Sequence, residues 1–445
     1  MKRPNIIFVF SDQQRWDTLG CYGQKLPVTP NLDRLAAEGL RFENTFTCQP
    51  VCGPARAALQ VGKWASQTGC FKNDIALPEH ERTMAHYLSE AGYETGYVGK
   101  WHLASTGEKQ NYKINPIPPN LRGGYRDFWI ASDVLEFTSH SYDGYMFDEK
   151  GDRREFTAGR YRPDFLTDCA LEFVNRSHVK PFFLFLSYIE PHHQNDHNRF
   201  EGPRGIRERF EQYETPGDLS GTQGDWRESY PDYLSCCWSL DQNVGRLREA
   251  LEKSGEWDNT LLIYTSDHGC HFRTRNVEYK RSCHDASLRI PLIIHGPGFR
   301  GGKVESNLIS LLDLTPTVLE AGGVSAPPFM AGCPLQALGS GGSRGWRNEV
   351  YAEISEDHIG RVVRTCKWKY SIWVPSEKSW TSGSAASGSD RYYEECLYDL
   401  ESDPHERNNL IRDPSLQNIR SELSERLISH MINAGEKRPL ILPAV

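Results

Sequence analysis

Short apolar runs punctuate the chain at 5–10, 94–98, 182–189, 260–265 and 291–295, each rich in β-branched or aromatic residues. Runs of this length, apolar on both faces, predict strands of a parallel sheet covered on both sides. Between them lie segments with helical spacing and recognisable ends. Residues 31–39 carry an Asn31 cap and a terminal Gly39, and 83–92 a Thr83 cap and the same Gly stop. Residues 232–253 place Leu234, Trp238, Val244, Leu247 and Leu251 on one helical face. This alternation predicts a doubly wound α/β fold: a large mixed, mostly parallel sheet sandwiched by helices.

The pattern changes near 326–345, where Pro, Gly and Ser dominate, and a domain boundary is expected there. Beyond it, 349–354, 359–364, 368–374 and 395–398 read as short strands and 415–434 as a helix that packs back on them. The Ser/Gly-rich stretch 376–391 reads as a mobile loop. The 445 residues therefore divide into a large α/β domain over 1–335 and a smaller α+β domain with an antiparallel sheet over 346–445. No internal repeat is visible.

The net charge of −8 arises from 59 acidic against 51 basic residues with no block of like charge, which argues against nucleic acid or an anionic membrane as partner. The apolar runs are far shorter than the ~20 residues a membrane span needs. Asn5–Phe10 follows a basic start, but Ser11 and Asp12 end it too early for a signal peptide. The cytoplasm is the expectation for a chain starting at Met1, and the periplasm or secretion for one trimmed of a leader. The twelve cysteines are sparse and irregular, so a disulfide scaffold is not expected. Cys48 and Cys52 lack a partner pair at finger spacing, and most thiols should be small buried residues. A homo-oligomer is compatible with the chain.

In open α/β sheets ligands bind beyond the carboxyl ends of the strands. The first four predicted strands are followed by Asp12 and Gln13, Lys100 and His102, His192 and His193, and Asp267 and His268. One His or Asp at a strand end is usually a cap, but four such ends converge in space. Asp12, Asp267, Gln13 and His268 make an oxygen-rich site for Ca²⁺, Mg²⁺ or Mn²⁺. Arg56, Lys100, His102, His192 and Lys280 would add positive charge beside it, a combination suited to sulfate or phosphate.

Cys52-Gly-Pro-Ala-Arg56 followed by Ala-Ala-Leu-Gln-Val-Gly62 has Pro54 in the first turn of a helix and Gly62 at its end, which sets Cys52 at an anion-favouring N-terminus. Cys-x-Pro-x-Arg with the following Leu and Gly resembles the formylglycine-forming motif of the type I sulfatases, in the alkaline phosphatase superfamily. Thr29-Pro-Asn-Leu-Asp-Arg-Leu, Gly99-Lys-Trp-His102, Pro191-His192, Ser266-Asp-His-Gly269, Lys280 ahead of Arg289-Ile-Pro, and Leu397-Tyr-Asp-Leu extend the likeness along the chain.

That resemblance implies an alkaline-phosphatase-like fold and a Cys52 converted to formylglycine by a formylglycine-generating or anaerobic sulfatase-maturing enzyme. The hydrate of that residue would be the nucleophile. By the same resemblance Asp12, Gln13, Cys52, Asp267 and His268 match metal positions, with Ca²⁺ the first choice. Arg56 matches the residue that steadies the formylglycine. Lys100, His192 and Lys280 match sulfate contacts, the last two also as acids. His102 matches the base that expels sulfate, with sulfate contact of its own, and Asp267 a group that helps deprotonate the nucleophile. Gln13 and His268 depart from the Asp and Asn of many relatives and are similar to the phosphonate monoester hydrolase and choline sulfatase branches, whereas Gly-Lys-Trp-His is typical of sulfate-ester enzymes.

The expected activity is hydrolysis of a sulfate ester, on a carbohydrate by first choice. The rivals are a phosphonate monoester or phosphodiester hydrolase or a choline-sulfatase-like enzyme on the same scaffold, and a non-catalytic anion-binding protein. The basic loop with His192, His193, His197, Arg199, Arg204, Arg207 and Arg209 would suit the rim of a site for an anionic glycan, or a plain solvated surface.

Overall fold

The computed structural model describes residues 3–107, 110–156, 159–342, 344–375 and 386–444. The predicted loop 376–391 thus falls mostly outside the described residues. Five parallel strands form the centre of a twelve-stranded mixed sheet, in the spatial order Thr260–Ser266, Asn5–Ser11, Phe182–Ser187, Glu94–Lys100 and Phe128–Ser132. Leu292–His295 also joins, but antiparallel to Thr260–Ser266, so its carboxyl end points away from the others.

Side chains alternate across each central strand and feed two separate cores. Ile6, Phe8 and Phe10 enter one with Phe183, Phe185, Leu261 and Ile263, under the helices Cys52–Val61, Met84–Glu90 and Leu314–Ala321. Ile7 and Val9 enter the other with Leu184, Leu186, Leu262 and Tyr264, under Pro30–Glu38, Arg162–Val174 and Trp226–Ser254. The sheet is therefore covered on both faces, as the two-sided apolar runs predict.

Two helix starts differ from expectation. Pro30 takes the first helical position and Thr29 precedes it, so Asn31 is not the cap; its amide donates instead to Asp241 at 2.8 Å. The helix expected from residue 232 begins at Trp226 despite Pro231, because Trp226 and Tyr230 are buried with Phe210 and Phe272 and packing carries the helix through the proline.

The smaller sheet has five strands, Glu349–Ile354, Ile359–Thr365, Trp368–Val374, Arg391–Asp399 and Leu440–Leu442, antiparallel except for the last pair. The helix Gln417–Asn433 covers one face through Leu423, Leu427 and Met431. The other face docks onto the large sheet through Phe46, Cys283, Leu288 and Leu308. The Pro/Gly/Ser-rich segment between the sheets is not a loose tether, since Met330, Leu335 and Leu338 are buried in the core of the large sheet. Among the described residues no helix is long and apolar enough to cross a membrane.

Candidate active site

The parallel ladders set the strand exits level with one another: Ser11 pairs with Ser266, and Ser187 with both Phe10 and Gly99. Asp12, Lys100, Ser187, Asp267 and His268 therefore stand side by side at one edge of the sheet. The helix Cys52–Val61 delivers its first residue to the same edge. All ten of its residues are buried, and Gly62 ends it at φ 76°, a left-handed conformation that favours glycine.

Asp12 lies at the middle of the cluster. Its Oδ2 accepts from Lys100 Nζ at 2.7 Å and from Arg56 Nη2 at 3.0 Å. Arg56 is held in turn by Ser187 Oγ at 2.7 Å and the Lys100 carbonyl at 3.0 Å. Cys52 Sγ lies 3.4 Å from Asp12 Oδ1 and 3.3 Å from His268 Nε2, and accepts from Lys280 Nζ at 2.9 Å. Lys280 also donates to His192 Nε2 at 3.0 Å, while His192 Nδ1 donates to the His193 carbonyl at 2.6 Å.

His268 Nδ1 donates to the Gly269 carbonyl at 2.9 Å, which leaves the Nε2 lone pair facing Asp267 Oδ1 at 3.5 Å and Asp12 Oδ1 at 3.7 Å. Gln13 Oε1 and Asp267 Oδ2 are buried without a hydrogen-bond donor, although Arg56 approaches the latter to 3.5 Å. Acceptors aimed at acceptors in a buried site are unfavourable unless a cation lies among them. Asp12, Cys52, Asp267 and His268 each offer a ligand atom within 4.8 Å of the others. The donor chemistry, mainly carboxylate oxygen, fits a divalent cation.

Electrostatics divide the two carboxylates. Burial and Cys52 push Asp12 up, but Lys100, His192 and Arg56 more than offset them and hold it well below the usual carboxylate range. Asp267 is pushed up to about 7 by burial, by repulsion from Asp12 and by Cys52, with Arg56 acting against them. Burial would raise the Cys52 thiol, yet Lys100 and Lys280 lead the groups that bring it well below its ordinary value. One acid kept ionised beside one poised near neutrality is the pairing that acid–base chemistry uses.

The fold thus brings together Asp12, Cys52, Arg56, Lys100, His192, Lys280, Asp267 and His268. His102 joins them at the end of its strand in a left-handed conformation, φ 58°, with Nδ1 lacking a partner. Gln13 reaches the site through its backbone, whose N–H donates to Asp267 Oδ1 at 2.9 Å, while its Nε2 turns to Cys270.

Most basic groups of the loop have partners outside the catalytic cluster. His193 is buried against Tyr279, Arg199 and His197 pair with Glu201, Arg207 with Asp232 and Glu211, and Arg204 and Arg209 stack on Tyr142 and Trp238. Of that loop, only His192 touches the catalytic cluster.

Three neighbours escape a reading of strand exits. Asn73 Oδ1 accepts from the Gly53 N–H at 2.9 Å, at the helix start. Glu356, in the hairpin Ser355–His358 of the smaller sheet, accepts from the Asn73 N–H and from Arg281, the neighbour of Lys280. Ser187 could have been found as the one polar group closing an apolar run, but Asn73 and Glu356 arrive from other elements and carry no signal.

Known proteins extend the picture. The sulfatase family model matches residues 4–324, and a model for the C-terminal part of N-sulphoglucosamine sulphohydrolase matches 276–433. The sulfatase YidJ of Escherichia coli (strain K12) is 29% identical over 97% of this chain and 88% of its own. The N-acetylglucosamine-6-O-sulfatase of Bacteroides thetaiotaomicron is 27% identical over 96% and 86%. A solved enzyme in complex with its substrate D-glucosamine-2-N,6-O-disulfate has the same fold, with a TM-score of 0.77, 24% identity and coverage of 98% of this chain and 99% of that one. With nearly three quarters of its length inside the family model, this chain belongs to the sulfatase family, the sulfuric ester hydrolases of the alkaline phosphatase superfamily.

Proposed function

We propose that this sulfuric ester hydrolase removes sulfate from a carbohydrate, using a formylglycine made from Cys52 and one divalent cation, Ca²⁺ first and Mn²⁺ or Mg²⁺ next. The observation that carries the reading is the surroundings of Cys52, touched at once by an ammonium, a carboxylate and an imidazole. In the thiol form, Sγ stands in for an oxygen of the aldehyde hydrate. With position 52 neutral, two carboxylates, Asp12 and Asp267, face the cations Arg56, Lys100 and Lys280. That excess of positive charge, before any metal binds, suits an anionic sulfate group.

Asp12, Asp267, His268 and Gln13 would hold the cation, which when bound supplies Lewis-acid polarisation of the attacking oxygen. Asp267, the second carboxylate beside position 52, accepts a proton from that oxygen. Lys100, Lys280 and His192 hold the sulfate oxygens, and the Lys280–His192 contact passes a proton to the departing sugar oxygen. His102, beside position 52, takes the proton whose removal lets sulfate leave. The carbohydrate reading rests on the relatives' substrates, N-acetylglucosamine-6-sulfate esters and a disulfated glucosamine.

The test is production together with a maturing enzyme, followed by the mass of the Cys52 peptide and by rates on three esters. A peptide lighter by about 18 Da than the cysteine form is expected. Turnover of a 6-sulfated N-acetylglucosamine and of 4-nitrophenyl sulfate should exceed that of a phenyl phosphonate ester, and Cys52→Ala should be inert. An unshifted peptide overturns the nucleophile, and dominance of the phosphonate ester overturns the substrate class.

A further inference from the structure

A second cluster of metal-ligating side chains lies where the two sheets meet. Cys283 and His284 precede the short helix Asp285–Leu288, and Cys396 lies on the strand Arg391–Asp399 of the smaller sheet. All three are buried, and each offers a ligand atom within 4.8 Å of the others. Cys283 Sγ is 3.9 Å from His284 Nδ1. His284 Nε2 is 3.1 Å from the Tyr398 hydroxyl, and Cys396 Sγ accepts from that hydroxyl and from the Asn409 amide, each at 3.6 Å.

We infer that Cys283, His284 and Cys396 form a structural site for a thiophilic divalent cation, with zinc as the occupant. Three arguments converge on it. The donors are two sulfurs and an imidazole, a soft set that discriminates against the hard cation suited to Asp12 and Asp267. The surroundings already orient them: the His284 Nε2–H donates to Tyr398, which leaves the Nδ1 lone pair toward Cys283, and the Tyr398 O–H donates to Cys396. Histidine ligands in metal sites commonly have such an outer partner.

The third argument is charge. The cluster is packed among Phe46, Leu308, Val362 and Leu400, where an unbalanced charge is costly. Among its charged neighbours, Asp285 pairs with Lys369 and Arg364, and Glu406 with Lys369. Two thiolates and a dication add no net charge, whereas a monovalent cation would leave one negative charge. Binding would release the two thiol protons to solvent as the two zinc–sulfur bonds form. The cation would tie the segment that carries Lys280, three residues before Cys283, to the smaller sheet.

The test uses the full chain with Cys52→Ala, so that the catalytic thiol cannot contribute. One zinc per chain should copurify and persist in Asp12→Ala, and fall at least tenfold in Cys283→Ser and Cys396→Ser. Cobalt exchanged for zinc should give a thiolate-to-cobalt charge-transfer band in the Cys52→Ala protein. If the serine variants fail to fold, that band decides alone: its presence supports the site and its absence overturns it. A Cys283–Cys396 disulfide, seen as resistance to thiol alkylation until a reductant is added, also overturns it.

Discussion

Two buried clusters of charge in this protein are built from the same residue types and differ in purpose. At the sheet junction, Lys369 donates to Asp285 at 2.5 Å and pairs with Glu406, Arg364 reaches Asp285 at 3.3 Å, and the Asp285 N–H donates to Glu406 at 2.7 Å. Each acid here meets a base in an ion pair, and the groups from the two sheets close on one another. At the strand exits, Asp12, Arg56, Lys100 and Lys280 are as deeply buried, yet Gln13 Oε1 and Asp267 Oδ2 lack a hydrogen-bond donor, and bases outnumber acids once position 52 is neutral. Buried charge is therefore a poor marker of chemistry; an unbalanced and unfinished arrangement of it is a good one.

The widest separation between the clusters should come from Cys52→Ala, with a fall in kcat/KM of about 10⁴-fold or more while the melting temperature shifts little. Comparable losses of both activity and stability would erase the distinction. Chelation followed by Ca²⁺ addition should abolish and restore activity in the wild type, and Asp12→Ala should not be rescued by added Ca²⁺; calorimetric titration of the chelated protein gives the binding directly. Next in size, His102→Ala should lower kcat by about 10²–10⁴-fold, the range for a lost general base, without loss of stability.

The junction should respond in the opposite sense. Lys369→Met leaves Asp285 and Glu406 short of a counter-charge and should cost about 3–5 kcal/mol in a urea unfolding series, with kcat of the folded protein within a few-fold of wild type. A Lys369 variant that is stable but inactive would make the junction part of the site. The smallest effect concerns acid. Burial pushes Asp285 up, but Lys369, Arg364 and Arg289 more than offset it and hold the carboxyl well below its ordinary 3.8. A carboxyl depressed on folding contributes stability that is present above that value and lost as pH falls below it. Asp285→Asn should therefore flatten the decline of the urea midpoint below about pH 4, and an unchanged slope would assign that decline elsewhere.

The central strands and the groups beyond them were legible because a parallel strand buried on both faces has no room for polar residues until it ends. Asp12, Lys100 and Asp267 stand out against such runs. The strand Leu40–Phe46 was not legible, since Arg41, Glu43 and Asn44 break its apolar pattern at the less covered side of the sheet. Phe128–Ser132 is only five residues long and flanked by charge. The basic loop shows the limit at the site itself: its charges could be counted from sequence, but the acid that meets Arg207 is Asp232, twenty-five residues away on a helix. The Glu356 contact was invisible for the same reason, being made by a hairpin of a different sheet.

The burial of Cys52 sets a deadline. The residue is 1% exposed and its whole helix is enclosed, so any enzyme that alters it must meet the chain before this helix docks. The lid closes late, because Thr315 Oγ1 bonds the Leu59 carbonyl and residue 315 is made about 250 residues after the helix, a delay on the order of ten to fifty seconds at ordinary translation speeds. On the proposed conversion of Cys52, chain order would leave a maturing enzyme that window of time, which faster folding of the C-terminal half would shorten.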